Sequence, residues 1–162
     1  MTVPLTSSLY RTTAHAAGGR TGSVRTDDGR LDVRLAPPRK KVPGTTNPEQ
    51  LFAAGFAACF TSALAEVAAE FGADASTARV ACEVRLGTTD TPAGYGLAVT
   101  LTVALPGWRE ADLQPLLHRA DAVCPYSQAV RGNVPLTLLA VDGTAETAET
   151  AENAEAAADD RA

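Results

Sequence analysis

Aromatic residues are scarce, 5% of 162 positions with one tryptophan and one methionine, so any core must be built from closely packed alanine, valine and leucine. An excess of positive charge is missing too. The net charge is -5, and it arises at the C-terminal end: residues 1–144 hold 13 basic and 13 acidic side chains, whereas 145–162 hold six acids and only Arg161. A balanced body offers no electrostatic footprint for general nucleic-acid binding and no polybasic patch for a membrane surface. Cysteines number three, Cys59, Cys82 and Cys124, too few for a secreted disulfide scaffold and without the CxxC spacing of a zinc site. His15 and His118 add no ligand spacing, so no metal is expected. The N-terminus lacks a charged stretch followed by an apolar one, which leads us to expect no signal peptide and a cytoplasmic location. In a reducing compartment, a separated pair of cysteines reads as redox chemistry.

What is present, 45% hydrophobic and 20% charged residues, fits a single domain over residues 1–143. From 144 onward, Ala-Glu-Thr triplets make an acidic tail without large apolar groups, expected to be disordered. Residues 8–16, 22–27 and 31–36 predict three strands, the last two a hairpin turning at Asp28-Gly29. Pro37, Pro38, Pro43 and Gly44 make 37–46 a loop, and its Arg39-Lys40-Lys41 run reads as solvated. Asn47-Pro48-Glu49-Gln50 then predicts a helix start, with Asn47 as N-cap and Gln50 completing a capping box. The helix should run to Phe71 and stop at Gly72.

No charged residue stands between Glu49 and Glu66, so this helix is apolar or small all the way round, the pattern of a buried element. Those intervening 16 residues would span about 24 Å and hold few large apolar groups, short of a bilayer crossing. Period-two alternation predicts strands at 79–86, with Val80, Cys82, Val84 and Leu86 on a dry face, and at 95–105. Helices over 109–123 and from Pro125 to Gly132 follow, then a last strand at 135–141. The order βββ-α-ββ-αα-β predicts an α+β fold with antiparallel sheets around a long buried central helix. Six short strands cover such a helix poorly, which points to an intertwined homodimer.

Local physics ranks the cysteines. Cys59 lies mid-helix among small residues, where a free cysteine usually behaves as a small hydrophobe. Cys124 precedes Pro125 at a helix N-cap, where unpaired amides favour a thiolate, so on local grounds it is the stronger nucleophile. Cys82 reads as core.

A resemblance reverses that ranking. Gly18-Gly19-Arg20, Thr46-Asn47-Pro48-Glu49-Gln50-Leu51-Phe52, Ala57-Ala58-Cys59-Phe60, and Val123-Cys124-Pro125-Tyr126-Ser127 with Arg131-Gly132-Asn133 occur in order between about residues 8 and 142. Together they closely resemble the organic hydroperoxide resistance (Ohr) proteins of the Ohr/OsmC family. The wording of the second and fourth blocks favours Ohr over the OsmC branch. The resemblance implies an OsmC-like fold and a bacterial-type thiol peroxidase, with no bound cofactor, that converts organic hydroperoxides to alcohols. It makes Cys59 the peroxidatic and Cys124 the resolving cysteine, with Arg20 and Glu49 activating Cys59. It also implies reduction by dihydrolipoamide or a lipoylated protein. A guanidinium beside Cys59 would stabilise its thiolate, and Phe52, Phe56 and Phe60 would line an apolar pocket. Phe56 stands where the family commonly has tyrosine, the loop at 39–46 looks short, and Cys82 and the acidic tail look like additions. An OsmC-type peroxidase of broader specificity and a non-catalytic module binding a hydrophobic ligand remain open alternatives.

Overall fold

Short strands and glycine turns organise the first of two units, Met1–Phe52, into a four-stranded sheet. In this computed structural model the described residues are 4–92 and 94–143, so the acidic segment from 144 lies outside them. Strands β1 (Ala14–Ala17), β2 (Ser23–Thr26) and β3 (Asp32–Leu35) pair antiparallel in sequence order. Gly29 turns the β2–β3 hairpin at φ 68°, a conformation that glycine adopts without steric cost. The Asp28 carboxylate accepts from the Thr26 hydroxyl and the Arg30 amide and secures the turn. The expected loop at 37–46 contains a two-residue strand, β4 (Thr45–Thr46), which pairs parallel to β3. Prolines earlier in the loop do not forbid this, because it needs only two residues beside the sheet edge.

Helix α1 (Pro48–Glu70) begins as its sequence predicts, with Asn47 Oδ1 accepting the Gln50 amide at 2.9 Å. Gln50 also reaches backwards, its Oε1 accepting from the Thr46 hydroxyl. At the other end Gly72, at φ 68°, donates to Ala69 and Ala73 donates to Ala68, which closes the helix one residue earlier than expected.

The second unit, Ala53–Ala162, holds a three-stranded sheet in the order β5 (Arg79–Thr88), β6 (Tyr95–Leu105), β7 (Leu136–Asp142). Helices α2 (Glu110–Val123) and α3 (Pro125–Val130) connect β6 to β7. That crossover corrects the expectation of purely antiparallel sheets. A hairpin joins β5 and β6 antiparallel, whereas a chain that leaves β6 through two helices returns in the same direction, and β7 pairs parallel. The core of the unit is built from Val99, Leu101, Val103 and Leu105 on β6 and Leu113, Leu116, Leu117 and Ala120 on α2. The face of β5 is less dry than alternation suggests: Val80, Cys82 and Val84 are half-buried and Leu86 is exposed.

The burial of α1 also needs correction. Phe56, Phe60, Ala63, Leu64, Val67 and Ala68 form a buried stripe at helical spacing, but Ala54, Ala58, Ser62, Ala65 and Ala69 form an exposed one. A single chain covers one side of a helix that has no polar side to show. The helix has 23 residues with an 18-residue window of mean hydropathy 1.7, long and apolar enough to cross a membrane, contrary to the reading of its charge-free run. Alanine supplies that hydropathy, and the buried stripe carries the large side chains, as in a core helix.

Candidate active site

The two cysteines that sequence places 65 residues apart meet. Cys124 Sγ donates to Cys59 Sγ across 3.7 Å, and both side chains are free thiols. Cys59 stands in the middle of α1, half-buried; Cys124 links α2 to α3 and is fully buried. Its position follows from Pro125, which starts α3 at N1, and from its own amide, which donates to the Ala120 carbonyl as the last bond of α2.

The first-turn amides of α3 explain why local reasoning favoured the wrong thiol. Cys124 makes no side-chain cap with them. The backbone N–H of Tyr126 instead hydrogen-bonds the Cys59 sulfur, so the amide expected to favour a Cys124 thiolate acts on Cys59. Burial outweighs it, pushing the Cys59 thiol above its ordinary pKa, and the adjacent Cys124 adds to the rise.

Tyr126 is the residue that sequence reasoning quoted without giving it a task. Its ring packs against Phe56 at 5.7 Å between centroids, and a β-carbon at residue 55 would stand 3.1 Å from its hydroxyl. Gly55 therefore lets the phenol lie close to α1, one turn before Cys59. An isolated glycine inside an apolar helix was the available signal for such a close approach. Phe56 and Phe60 are fully buried, whereas Phe52, in the first unit, is half-buried.

In the first unit Arg20 and Glu49 form a two-pronged ion pair, NH1 to Oε2 at 2.9 Å and NH2 to Oε1 at 2.6 Å. A short 3₁₀ turn (Gly19–Thr21) presents Arg20, and Glu49 lies in the first turn of α1. The Arg20 hydrogen bonds hold the Glu49 carboxyl below its ordinary pKa, so the pair persists as pH falls into the usual glutamate range and is lost only below it. His15 is drawn to Asp27, at 2.7 Å.

Cys82 is half-buried on β5, and burial pushes its thiol up to about 11. At neutral pH it is expected to alkylate slowly, with a rate that climbs until pH passes about 11, as peptide mass spectrometry after iodoacetamide would show. Cys82→Ala should cost at most about 1–2 kcal/mol of stability, the scale of a small half-buried group. Rapid Cys82 alkylation at pH 7 would contradict this placement.

The OsmC-like protein family matches residues 41–139. The organic hydroperoxide resistance protein of Xanthomonas axonopodis pv. citri (strain 306) is 44% identical over 134 residues, 80% of this chain and 93% of that relative. The chain belongs to the Ohr/OsmC family. Among solved structures, OhrB of Bacillus subtilis matches this family member with a TM-score of 0.77 and 38% identity over 82% of this chain and 99% of that one. An organic hydroperoxide resistance protein from Legionella pneumophila gives a TM-score of 0.76 and 42% identity over 83% and 99%. The OsmC-like α+β fold expected from the resemblance is thus found, with mixed sheets.

Proposed function

We propose that this Ohr/OsmC-family chain is a cysteine-based peroxidase that reduces organic hydroperoxides to alcohols. The observation that carries the reading is the 3.7 Å contact between Cys59 and Cys124. In the first step the Cys59 thiolate attacks the distal oxygen of ROOH. The O–O bond breaks, a proton completes the alcohol ROH, and Cys59 is oxidised to the sulfenic acid. The Cys124 sulfur then displaces hydroxide from that sulfenic acid; a disulfide forms and water leaves. An external dithiol returns both cysteines to thiols and is itself oxidised to a disulfide, so the two electrons come from outside the chain. A lipoyl-type dithiol, free as dihydrolipoamide or protein-bound, suits this task in a reducing compartment such as the cytoplasm.

Burial alone leaves Cys59 a poor thiolate, so the proposal needs a cation. Arg20, held by Glu49, fills that role, in one chain or across a homodimer. The exposed stripe of Ala54, Ala58, Ser62, Ala65 and Ala69 supports the dimer, because small side chains let two helices approach closely. Phe52, Phe56 and Phe60 give the site an apolar lining suited to hydrophobic peroxides.

Thiol counting tests the function. One equivalent of cumene hydroperoxide per chain is expected to remove two thiols quickly, with Cys59 and Cys124 recovered as a disulfide-linked peptide pair. A count that stays at three would favour a hydrophobic-ligand-binding module over an enzyme.

A further inference from the structure

Apart from the two thiols, a partly open cleft of about 360 Å³ lies among α2, α3 and β7. Its volume falls within the range of about 300–1,000 Å³ typical of small-ligand sites. One wall is polar. Asp121 Oδ2 accepts from Arg131 NH2 at 2.6 Å, and the same nitrogen donates to the Asp121 carbonyl at 3.2 Å. Asp121 Oδ1 and Ser127 Oγ also face this cleft, both buried and both without a hydrogen-bond partner among the described residues. Ser127 is only 1% exposed, so its hydroxyl is not turned to bulk solvent. The opposite wall is apolar, with Leu136 and Leu138 of β7.

Buried polar atoms are almost always paired, so a buried carboxylate oxygen and a buried hydroxyl on one cleft define what an occupant must supply. Asp121 Oδ1 requires a donor. Ser127 can donate to an acceptor. A hydroxyl group does both with a single oxygen, its O–H donating to Asp121 and its lone pair accepting from Ser127. Charge narrows the class further. Arg131 neutralises Asp121, so an anionic head would meet the second carboxylate oxygen and a cationic head would sit beside the guanidinium.

We infer that this cleft binds small neutral alcohols, the hydroxyl between Asp121 and Ser127 and the carbon chain along Leu136 and Leu138. His118, on the same cleft, adds a ring nitrogen at the polar side. Alcohols are also the class that the proposed reaction releases, and Ser127 stands one turn of α3 beyond Cys124. The inference nevertheless rests on the cleft's own atoms and not on peroxidase activity.

The test titrates the full chain, without peroxide, with 1-hexanol, hexylamine and hexanoate, following the amide NMR signals of Ser127, Leu136 and Leu138. Saturable shifts with hexanol, tighter than with either charged ligand, are expected. Ser127→Ala should weaken hexanol binding at least about fivefold, the worth of one hydrogen bond. Leu138→Phe, which fills the apolar side, should abolish it. Shifts that never saturate, hexanol binding unchanged in folded Ser127→Ala and Leu138→Phe, or a preference for the amine or the carboxylate would each overturn the inference. The ranking of the three ligands needs no variant, so the test stands even where a substitution fails to fold. Since no turnover is read, failure here leaves the thiol-counting result untouched.

Discussion

Cys59→Ser is expected to abolish hydroperoxide reduction, and Cys124→Ser to reduce one equivalent per chain and then stall. Serine at 59 removes the only group in the proposed cycle that attacks oxygen, and a hydroxyl of ordinary pKa does not replace a thiolate. Serine at 124 leaves that attack in place but removes the sulfur that condenses with the sulfenic acid. In the native chain the two sulfurs are already in contact at 3.7 Å, so the second step begins from an encounter that the fold has made. A sulfenic-acid trap such as dimedone should therefore label Cys59 heavily in Cys124→Ser and weakly in the native chain. Stopped-flow oxidation gives the amplitudes: two thiols per chain in the native protein, one in Cys124→Ser and no fast phase in Cys59→Ser. Equal slow decay in both variants would remove the assigned roles.

The elements legible in the sequence were those whose signals are local. Strand β6 runs over the predicted 95–105, because eleven residues of alternation allow no other register. The start of α1 was written in Asn47 and Pro48, and its end in Gly72. The parallel partners β4 and β7 were not legible as such, since pairing direction depends on where the chain travels between strands and no local pattern records that. The second stripe of α1 was misjudged for a related reason. Apolar composition all round shows that cover is needed without showing whether one chain supplies it.

The chemistry was divided in the same way. Each cysteine could be assessed alone, and alone Cys124 looked more reactive because it begins a helix after Pro125. What decides the matter is which sulfur the Tyr126 amide meets, and this follows from the packing of α3 on α1 through Gly55 and Phe56. The Arg20–Glu49 pair spans 29 residues and two elements, so only the family resemblance joined these residues before the structure did.

Mixing two inactive variants, Arg20→Ala and Cys59→Ser, is expected to restore part of the activity when they are unfolded and refolded together. On a straight helix, Glu49 and Cys59, ten residues apart, are separated by about 15 Å along the axis and about 1000° of rotation, so their side chains point to clearly different sides. A carboxylate that holds Arg20 is thus badly placed to aim it at the thiol of its own helix. Two helices packed along the stripe of Ala54, Ala58, Ser62, Ala65 and Ala69 would offer the Arg20 and Glu49 of one chain to the Cys59 of the other. In a mixed dimer of that kind, one site combines the intact Cys59 of the Arg20→Ala chain with the intact Arg20 of the Cys59→Ser chain. The other site lacks both. Random pairing makes half of the dimers mixed, each with one of two sites working, so recovery near one quarter of native turnover is expected. Native mass spectrometry of differently tagged chains establishes the mixed fraction. Activity that stays at background in dimers shown to be mixed would confine each site to one chain, and would leave the roles of Cys59 and Cys124 to be judged by their own variants.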